Sequence, residues 1–342
     1  MNLIQRIPWL ASAGIVLCGE LPMNGGSSDE LAYRSVEGRK LAKRFVQHSE
    51  LELKASKFTV EGPDGPDENE GAGSYKIIDD ETIEFEDVTI AAGEGKPKKA
   101  KRTFSTIDNA VNFESDEEDF EAKEIKNESG LLDKAVMFTW DAEEKSFAAA
   151  WFECEGNDKL LGPMVEDADF RGWLPGKKVG EDDTWTIDVA EFNNLQEPSG
   201  PMGYQREGAE EGEDDDTMSE GIRDNRKGEI KATYKGTREE DGVKVGVIAF
   251  EGKLSSSFAR DVEQDEGPSA HQANEQSDEF EGELLWDLAA GHFRSLTCDS
   301  KITLSTSEQQ SFEIEGHSFK LSQSQTFEGT KTYRFSCEEK KD

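Results

Sequence analysis

A mainly β fold of antiparallel strands is predicted by three features of the sequence. Most ordered-looking segments alternate apolar and polar residues with a period of two, which is typical of half-buried strands. Helical periodicity is confined to one short stretch, and the 19 phenylalanines supply large apolar anchors for a folded core. The segments between strands are acidic and rich in glycine and proline. We therefore expect two related, antiparallel curved-sheet (half-barrel-like) units with one or two short helices and long acidic loops.

The predicted strands are spread along most of the chain. They cover residues 49–62, 81–90, 133–141, 147–154, 183–192, 243–258, 282–288, 293–305, 312–323 and 331–339. A short helix is predicted near 158–174, where the apolar residues roughly share one face, although Gly162 and Pro163 weaken its start.

Four acidic segments separate these strands and lack apolar periodicity. They span residues 62–73, 113–130, 197–221 and 260–279, and we expect them to be mobile loops or linkers. The third is the best candidate for a boundary between two halves. The predicted organisation is a signal-like segment at 1–26, a first β-rich unit at 27–196, an acidic linker at 197–228 and a second β-rich unit at 229–342.

The two halves share a short pattern that indicates an internal repeat. The pair Trp-Asp at 140–141 is followed after five residues by Phe147, and the pair at 286–287 is followed after five residues by Phe293. Each pattern predicts a hairpin in which Trp-Asp ends one strand and phenylalanine begins the next. Duplication would give two copies of one β-rich unit, each burying one face of its sheet.

The N-terminus has the parts of a secretory signal. Arg6 precedes an apolar stretch at 7–18, and a polar segment follows. Pro8 lies early in the apolar stretch and no small-x-small cleavage site follows, so a buried N-terminal helix or strand is the alternative. We expect a periplasmic or extracellular protein, and lipid attachment at Cys18 stays open. No apolar run reaches the roughly 18–20 residues of a transmembrane helix.

Three cysteines remain if Cys18 is removed with the signal. Cys298 and Cys337 lie on predicted strands and are the favoured disulfide pair, which leaves Cys154 over. The alternative is that all three are small buried hydrophobic residues. Because no C-x-x-C or His/Cys spacing is present, we expect no structural metal.

The formal net charge of −36 bears on the partners of the protein. It excludes nucleic acid and anionic membrane surfaces, because those partners need clustered Lys and Arg. Asp64, Asp67, Asn69 and Glu70 form one acidic cluster and residues 213–216 another, without the register of a calcium-binding helix–loop–helix motif. Three interpretations of the acidic charge remain: a cationic partner, loosely bound calcium, or a surface that keeps the protein soluble in high salt.

The histidines do not form an enzyme motif. His48 and His317 fall in strand regions, His271 in an acidic segment and His292 in a tight turn. The sequence contains no H-x-x-x-H, G-x-S-x-G, P-loop or GxGxxG pattern. We therefore expect a protein that is not an enzyme, with no catalytic residues and no cofactor.

The most distinctive segment is WLPGKKVGEDDTWTIDV at 173–189. Its Pro-Gly at 175–176 interrupts a helix, its Val-Gly at 179–180 makes a turn, and its Thr-Trp at 184–185 begins a strand. This pattern of Pro, spacer, Val, Gly, acid and Trp resembles that of uncharacterised secreted or lipid-anchored bacterial β-rich proteins. The resemblance implies an exported protein of unknown function and carries over no catalytic residues.

A looser resemblance is to the periplasmic lipoprotein carriers, in which a curved antiparallel sheet shelters acyl chains. It implies a non-catalytic envelope protein that binds or carries an apolar small molecule or lipid in a β cup. The expected lining residues are Phe138, Trp151, Leu254 and Leu285. The alternative is a structural or interaction module with a packed core and an acidic surface that meets cations or a basic partner.

Overall fold

The computed structural model describes residues 28–63, 65–71, 75–93, 95–115, 120–206, 217–262, 270–314 and 317–341. The predicted signal-like segment with Cys18 lies outside these residues, and so do Asp64 and the acidic cluster at 213–216. Within the described ranges, no helix has the length and apolar character needed to cross a bilayer.

Antiparallel strands make up most of the described chain, which confirms the predicted mainly β fold. The strands are β1 (Asp29–Glu30), β2 (Lys40–Gly62), β3 (Gly65–Gly71), β4 (Lys76–Ala92), β5 (Pro97–Glu114), β6 (Lys123–Ser129), β7 (Ala135–Asp141), β8 (Ser146–Trp151), β9 (Lys178–Val179), β10 (Thr184–Ile187), β11 (Tyr204–Arg206), β12 (Lys227–Glu240), β13 (Val243–Val262), β14 (Ala270–Asp287), β15 (His292–Ile314) and β16 (His317–Glu339). The helices are α1 (Phe192–Gln196) and α2 (Thr217–Asp224), and short 3₁₀ turns lie at Asp158–Leu160, Arg171–Trp173 and Val189–Glu191.

Fourteen of the described strands form one sheet, and β1 pairs separately with β9. The order is β10-β12-β13-β14-β15-β16-β2-β4-β5-β6-β11, while β3 adds to β2 and the β7–β8 hairpin adds to β5. The pairing of β16 with β2 runs from Lys320 opposite Glu61 to Glu339 opposite Leu41. Strands from both halves of the chain therefore belong to a single sheet.

One face of this sheet, here called the inner face, carries the hydrophobic core. Phe45 on β2 lies opposite Phe335 on β16 and Ile83 on β4, and all three side chains are buried. Successive residues of a strand point to opposite faces, so the period-two pattern of the sequence places one apolar row after another on this face. The sheet alone does not cover the core.

Residues 158–174, here called the plug segment, cover part of the inner face. The helix predicted there is wrong, because the structure has two 3₁₀ turns joined by irregular chain. Pro163 has no N–H to donate, and Phe170 takes the left-handed conformation with φ of 55°. Met164, Phe170 and Trp173 are nevertheless buried in the core. The apolar residues of this segment thus fill the core without forming a regular helix.

Each of the four acidic segments contains regular structure that was not predicted. Residues 62–73 include β3, 113–130 include β6, 197–221 include β11 and the start of α2, and 260–279 include the first half of β14. The acidic part of β14 pairs with β13 on one side and with β15 on the other. Its backbone N–H and C=O groups are satisfied by both neighbours, so the strand needs little apolar side-chain burial.

Both Trp-Asp patterns form the predicted hairpins. Trp140 lies opposite Phe147 across the β7–β8 turn, and Trp286 lies opposite Phe293 across the β14–β15 turn. In each turn, the aspartate after the tryptophan accepts hydrogen bonds from the backbone N–H groups two and three residues later. The internal repeat itself stays a prediction.

The predicted disulfide is wrong, since all three described cysteines are free thiols. Cys298 lies opposite Tyr333 on β16, and Cys337 is four residues farther along that strand. Four residues of a strand span roughly 13 Å, well beyond the reach of a disulfide. Cys298 and Cys337 are buried, and burial raises the pKa of both thiols. The alternative prediction, small buried hydrophobic residues, is confirmed for these two.

Candidate functional site

A second apolar region lies on the inner face where the long strands continue past the core. Leu53 on β2 lies opposite Phe327 on β16, which in turn lies opposite Leu304 on β15. The side chains of Leu53 and Phe327 are buried. Three neighbouring strands therefore present a continuous apolar row at a distance from the main core.

This row borders a cavity of about 530 Å³, here called the tip pocket. The cavity is lined by Leu53, Tyr75, Ile77, Ser115, Phe120, Leu304, Thr306, Gln325 and Phe327. The ring of Tyr75 lies 5.7 Å from that of Phe120 and 6.5 Å from that of Phe327, and it stacks on Phe113 at 6.0 Å. The volume of the tip pocket falls within the roughly 300–1,000 Å³ that is typical of pockets that bind small molecules.

The chemistry of the tip pocket is that of an apolar binding site. The lining side chains that the structure describes are all uncharged, and burial raises the pKa of Tyr75, so that its phenol stays neutral. Aromatic and aliphatic side chains offer dispersion contacts, and Ser115, Thr306 and Gln325 offer hydrogen bonds. The described lining can bind and orient an apolar molecule, and none of its side chains is suited to acid–base catalysis near neutral pH.

Buried polar side chains separate the core from the tip pocket. Tyr204 donates a 2.6 Å hydrogen bond to Oε1 of Glu81, and Gln47 donates one of 2.6 Å to Oε2. Gln47 also donates to the backbone oxygen of Gln196 at 2.7 Å. Burial raises the pKa of Glu81 to about 7, against the opposing effect of the Tyr204 hydrogen bond. These contacts join β11 to β4 and the end of α1 to β2.

Four charged side chains, here called the ion cluster, fix the plug segment to the inner face. Arg102 donates to both oxygens of Asp87 at 2.8 and 2.9 Å, and Nζ of Lys43 lies 2.9 Å from Asp87 and 2.8 Å from Asp169. Arg102 also donates to the backbone oxygens of Val165 and Glu166. Burial alone would raise the pKa of Asp87, but the charges of Arg102 and Lys43 lower it to about 2.

A second group of charges continues the ion cluster toward the surface. Arg171 forms ion pairs with Glu166 and Asp167, and its guanidinium lies 5.1 Å from the ring centroid of Tyr33. Burial raises the pKa of Glu166 to about 7 despite the nearby Arg171 charge. Because Glu166, Asp167 and Arg171 all belong to the plug segment, these ion pairs stabilise the conformation of that segment, and the contact with Tyr33 attaches it to the residues before β2.

The four lining residues predicted from sequence do not meet in one cavity. Phe138 and Leu254 lie in the main core, and Trp151 packs at its margin and donates to Asp158 at 3.1 Å. Leu285 lies in a separate small cluster, with Val245, Val247 and Val243. None of the four lines the tip pocket.

The residues of the tip pocket were missed because they border segments with weak patterns. Tyr75 precedes β4 directly, and Phe120 lies within a segment that was predicted to be a loop. Phe327 falls between two predicted strands. Aromatic residues at the edges of acidic segments were the available signal, since a wholly solvated loop has little use for such side chains.

The histidines of the described chain lie apart from one another and make separate contacts. His48 lies 2.7 Å from Asp80, and His271 lies 2.8 Å from Asp261, but both pairs are exposed on the sheet. His292 is buried, and its Nδ1 donates to the backbone oxygen of the next residue. Among the residues that the structure describes, no group of three or more His, Cys, Asp or Glu is placed to hold a metal ion.

The first acidic cluster, considered above as a site for loosely bound calcium, has described members that do not converge on one point. Asp67, Asn69 and Glu70 lie on β3 and are exposed, and Glu70 pairs with Lys57 on the neighbouring strand at 3.2 Å. Their side chains alternate between the two faces of the strand. Calcium binding at these residues gains no support from this arrangement.

Comparisons with known proteins show a remote similarity to solved structures. No protein-family model and no curated protein matches this chain. Among solved structures, the chain is similar to an outer membrane channel from Pseudomonas putida F1, with 10% sequence identity and a TM-score of 0.23. The similarity covers 91% of this chain and 100% of the channel. A similarity at this level assigns the chain to no family and to no activity.

Proposed function

We propose that this is an exported, non-catalytic envelope protein that binds an apolar small molecule in the tip pocket. The observation that carries the proposal is an uncharged, aromatic-lined cavity of about 530 Å³ on the inner face. Polar side chains separate the tip pocket from the filled core, so the pocket is not an extension of the core. The proposal of export rests on the signal-like pattern of residues 1–26.

The expected ligand is apolar over most of its surface. The rings of Tyr75, Phe120 and Phe327 suit an aromatic group or an acyl chain, and the polar lining side chains can orient one hydrogen-bonding group. A strongly anionic ligand is disfavoured by the formal net charge of −36. A neutral lipid or another uncharged hydrophobic compound fits these conditions.

The test is saturable binding of a neutral fluorescent probe, N-phenyl-1-naphthylamine, to the purified protein. We expect Phe327→Ala to weaken probe binding by about tenfold or more, since it removes a buried ring from the lining. The matched control is Phe319→Ala on the same strand, whose ring stacks on Phe312 outside the pocket. The proposal fails if both variants bind the probe as tightly as the unmodified protein.

The natural ligand is sought by native mass spectrometry and lipid extraction of protein purified from its own source. A co-purifying compound at fixed stoichiometry, lost in Phe327→Ala but kept in Phe319→Ala, would support the proposal. Empty protein in repeated gentle preparations, together with absent probe binding, would contradict it.

The second candidate is a structural or interaction module that meets cations or a basic partner through its acidic surface. Two observations favour it: the plug segment fills the main core, and the net charge is −36. This second candidate predicts salt-sensitive binding to a cationic surface and a tip pocket that stays empty. A pocket ligand with no such salt-sensitive partner would favour the first candidate.

A further inference from the structure

The environment of Lys43 is unusual for an ammonium group. Its side chain is 0% exposed, and Nζ lies 5.9 Å from the ring centroid of Phe85 and 6.0 Å from that of Phe293. The charged contacts are with the carboxyl groups of Asp87 and Asp169. An amine and two carboxyl groups are thus held together in a site lined by aromatic rings.

The two carboxyl groups differ in their other partners. Both oxygens of Asp87 accept hydrogen bonds from Arg102, so this group is held as a carboxylate. Oδ1 of Asp169 lies 2.8 Å from Nζ of Lys43, yet at an angle outside hydrogen-bond geometry. Within the described part of the chain, that oxygen is buried without a hydrogen-bond donor. Asp169 therefore contacts the amine through an oxygen that is not occupied by a hydrogen-bond donor, whereas both oxygens of Asp87 are.

We propose that Lys43 and Asp169 form an intramolecular isopeptide bond between Nζ and Cγ, with Asp87 as the proton acceptor. Groups held in contact react with effective concentrations far above those of free molecules, and a single event in the lifetime of the protein is sufficient. The site also excludes bulk water, which would compete with the amine and hydrolyse the product.

The reaction is a condensation that needs no co-reactant. Asp87 accepts a 2.9 Å hydrogen bond from Nζ of Lys43 and relays a first proton from the ammonium to the carboxylate of Asp169, which gives a neutral amine and a carboxylic acid with no change in total charge. The lone pair of Nζ then attacks Cγ. Asp87 accepts a second proton from Nζ and delivers it to the departing hydroxyl group of Asp169, which leaves as water. An amide remains, and Asp87 is again a carboxylate.

The product would tie β2 covalently to the plug segment. It also replaces a buried ammonium and a buried carboxylate by one neutral amide, while the Asp87–Arg102 pair stays intact. Cross-linking residues 43 and 169 closes a long loop of chain, which removes conformational freedom from the unfolded state. The plug segment would then stay attached to β2 even after denaturation.

The test is the intact mass of the folded full chain, with thiols reduced and the N-terminus defined by sequencing. We expect a mass lower than that of the sequence by one water molecule, and resistance of the bond after Lys43 to trypsin. Tandem mass spectrometry of the digest should give a branched peptide that joins Lys43 to Asp169. Folded protein with the unshifted mass and cleavage after Lys43 would overturn the proposal.

Three variants separate this bond from other dehydrations. Asp169→Ala should keep the full mass, and Asp169→Asn should lose ammonia and yield the same branched peptide. The matched control is Lys331→Met. Like Lys43, Lys331 contacts an aromatic ring, since its Nζ lies 5.3 Å from the ring centroid of Tyr333. This variant should not alter the loss of water. A loss of water that persists in Asp169→Ala would contradict the proposal. If a variant does not fold, the mass of the protein with the native sequence still shows whether the isopeptide bond has formed.

Discussion

The phenol of Tyr204 donates a 2.6 Å hydrogen bond to Glu81, although the two residues lie 123 positions apart in the chain. Tyr204 belongs to β11 at one end of the sheet order, whereas Glu81 lies on the inner face of β4. The bond therefore fixes an edge strand to β4 through a carboxyl group that is half-buried. Stability should depend on the protonation of that group.

Glu81→Gln is expected to reduce the pH dependence of stability. The pKa of Glu81 is raised from 4.5 to about 7 in the folded protein, chiefly by burial. Between these values the folded state keeps a proton that the unfolded state releases, so the free energy of unfolding falls as pH rises. One such group contributes a slope of about 1.4 kcal/mol per pH unit, which the neutral Gln would remove.

Urea unfolding at several pH values between about 5 and 7 measures this difference. Glu166 has a similarly raised pKa and remains in the variant, so a residual slope is expected. Curves that run parallel for the two proteins would show that Glu81 ionises as in the unfolded chain.

Arg102→Lys is expected to destabilise the protein by about 2–3 kcal/mol or more, because buried oxygen atoms lose their hydrogen-bond donors. Lysine keeps the charge but cannot reproduce the paired bonds to Asp87 or the bonds to the backbone oxygens of the plug segment. The control is Arg44→Lys, because Arg44 pairs with Glu84 on the exposed face and should cost under about 1 kcal/mol. Equal midpoints of denaturant unfolding would argue against an anchoring role for the ion cluster.

Phe170→Ala is expected to cost about 3–5 kcal/mol by opening a cavity in the core. The ring of Phe170 is fully buried and lies 5.2 Å from that of Phe293 and 5.9 Å from that of Phe335. Phe58→Ala is the control, because that ring is 39% exposed on β2. A small effect at Phe170, comparable to that at Phe58, would mean that the plug segment contributes little to the core.

Gly329→Ala is expected to disturb the pairing of β16 with β2. A Cβ atom at this position would overlap the backbone carbonyl oxygen of Glu50, so the strands would have to separate locally. Overpacking of this kind costs about 1–3 kcal/mol or more. Gly71→Ala is the control, because nothing lies within 4 Å of a Cβ there. Amide hydrogen exchange along β2 and β16 should rise in the first variant and stay unchanged in the second.

The fold class followed from the sequence where strands bury one face and expose the other. β13 is an example, because its alternation of apolar and polar residues appears directly in the sequence and in the burial of its side chains. β3 escaped prediction because it is polar on both faces and depends on backbone pairing with β2. β3 is a strand because it pairs with β2, and this pairing produces no pattern in the residues of β3 themselves.

The plug segment and the tip pocket show two further limits of sequence reasoning. Buried residues of an irregular segment can mimic helical spacing, as those of 158–174 do, because the core fixes which side chains are buried but not the backbone between them. The pocket depends on the register that sets Leu53 against Phe327, which lie near opposite ends of the chain. Pairing over such a separation is set by the whole sheet and leaves no local mark.

The position of β16 between β15 and β2 determines when the protein can fold. Until residue 339 has been synthesised, β2 lacks its longest pairing partner and the sheet has a gap near its middle. The amino-terminal strands must therefore wait for the carboxyl-terminal one, and closure over so long a separation is slow. During that interval the exposed edge of β2 is a site for aggregation or for a chaperone that binds unpaired strands. Assembly of the central sheet thus depends on the pairing of two strands that are far apart in the chain.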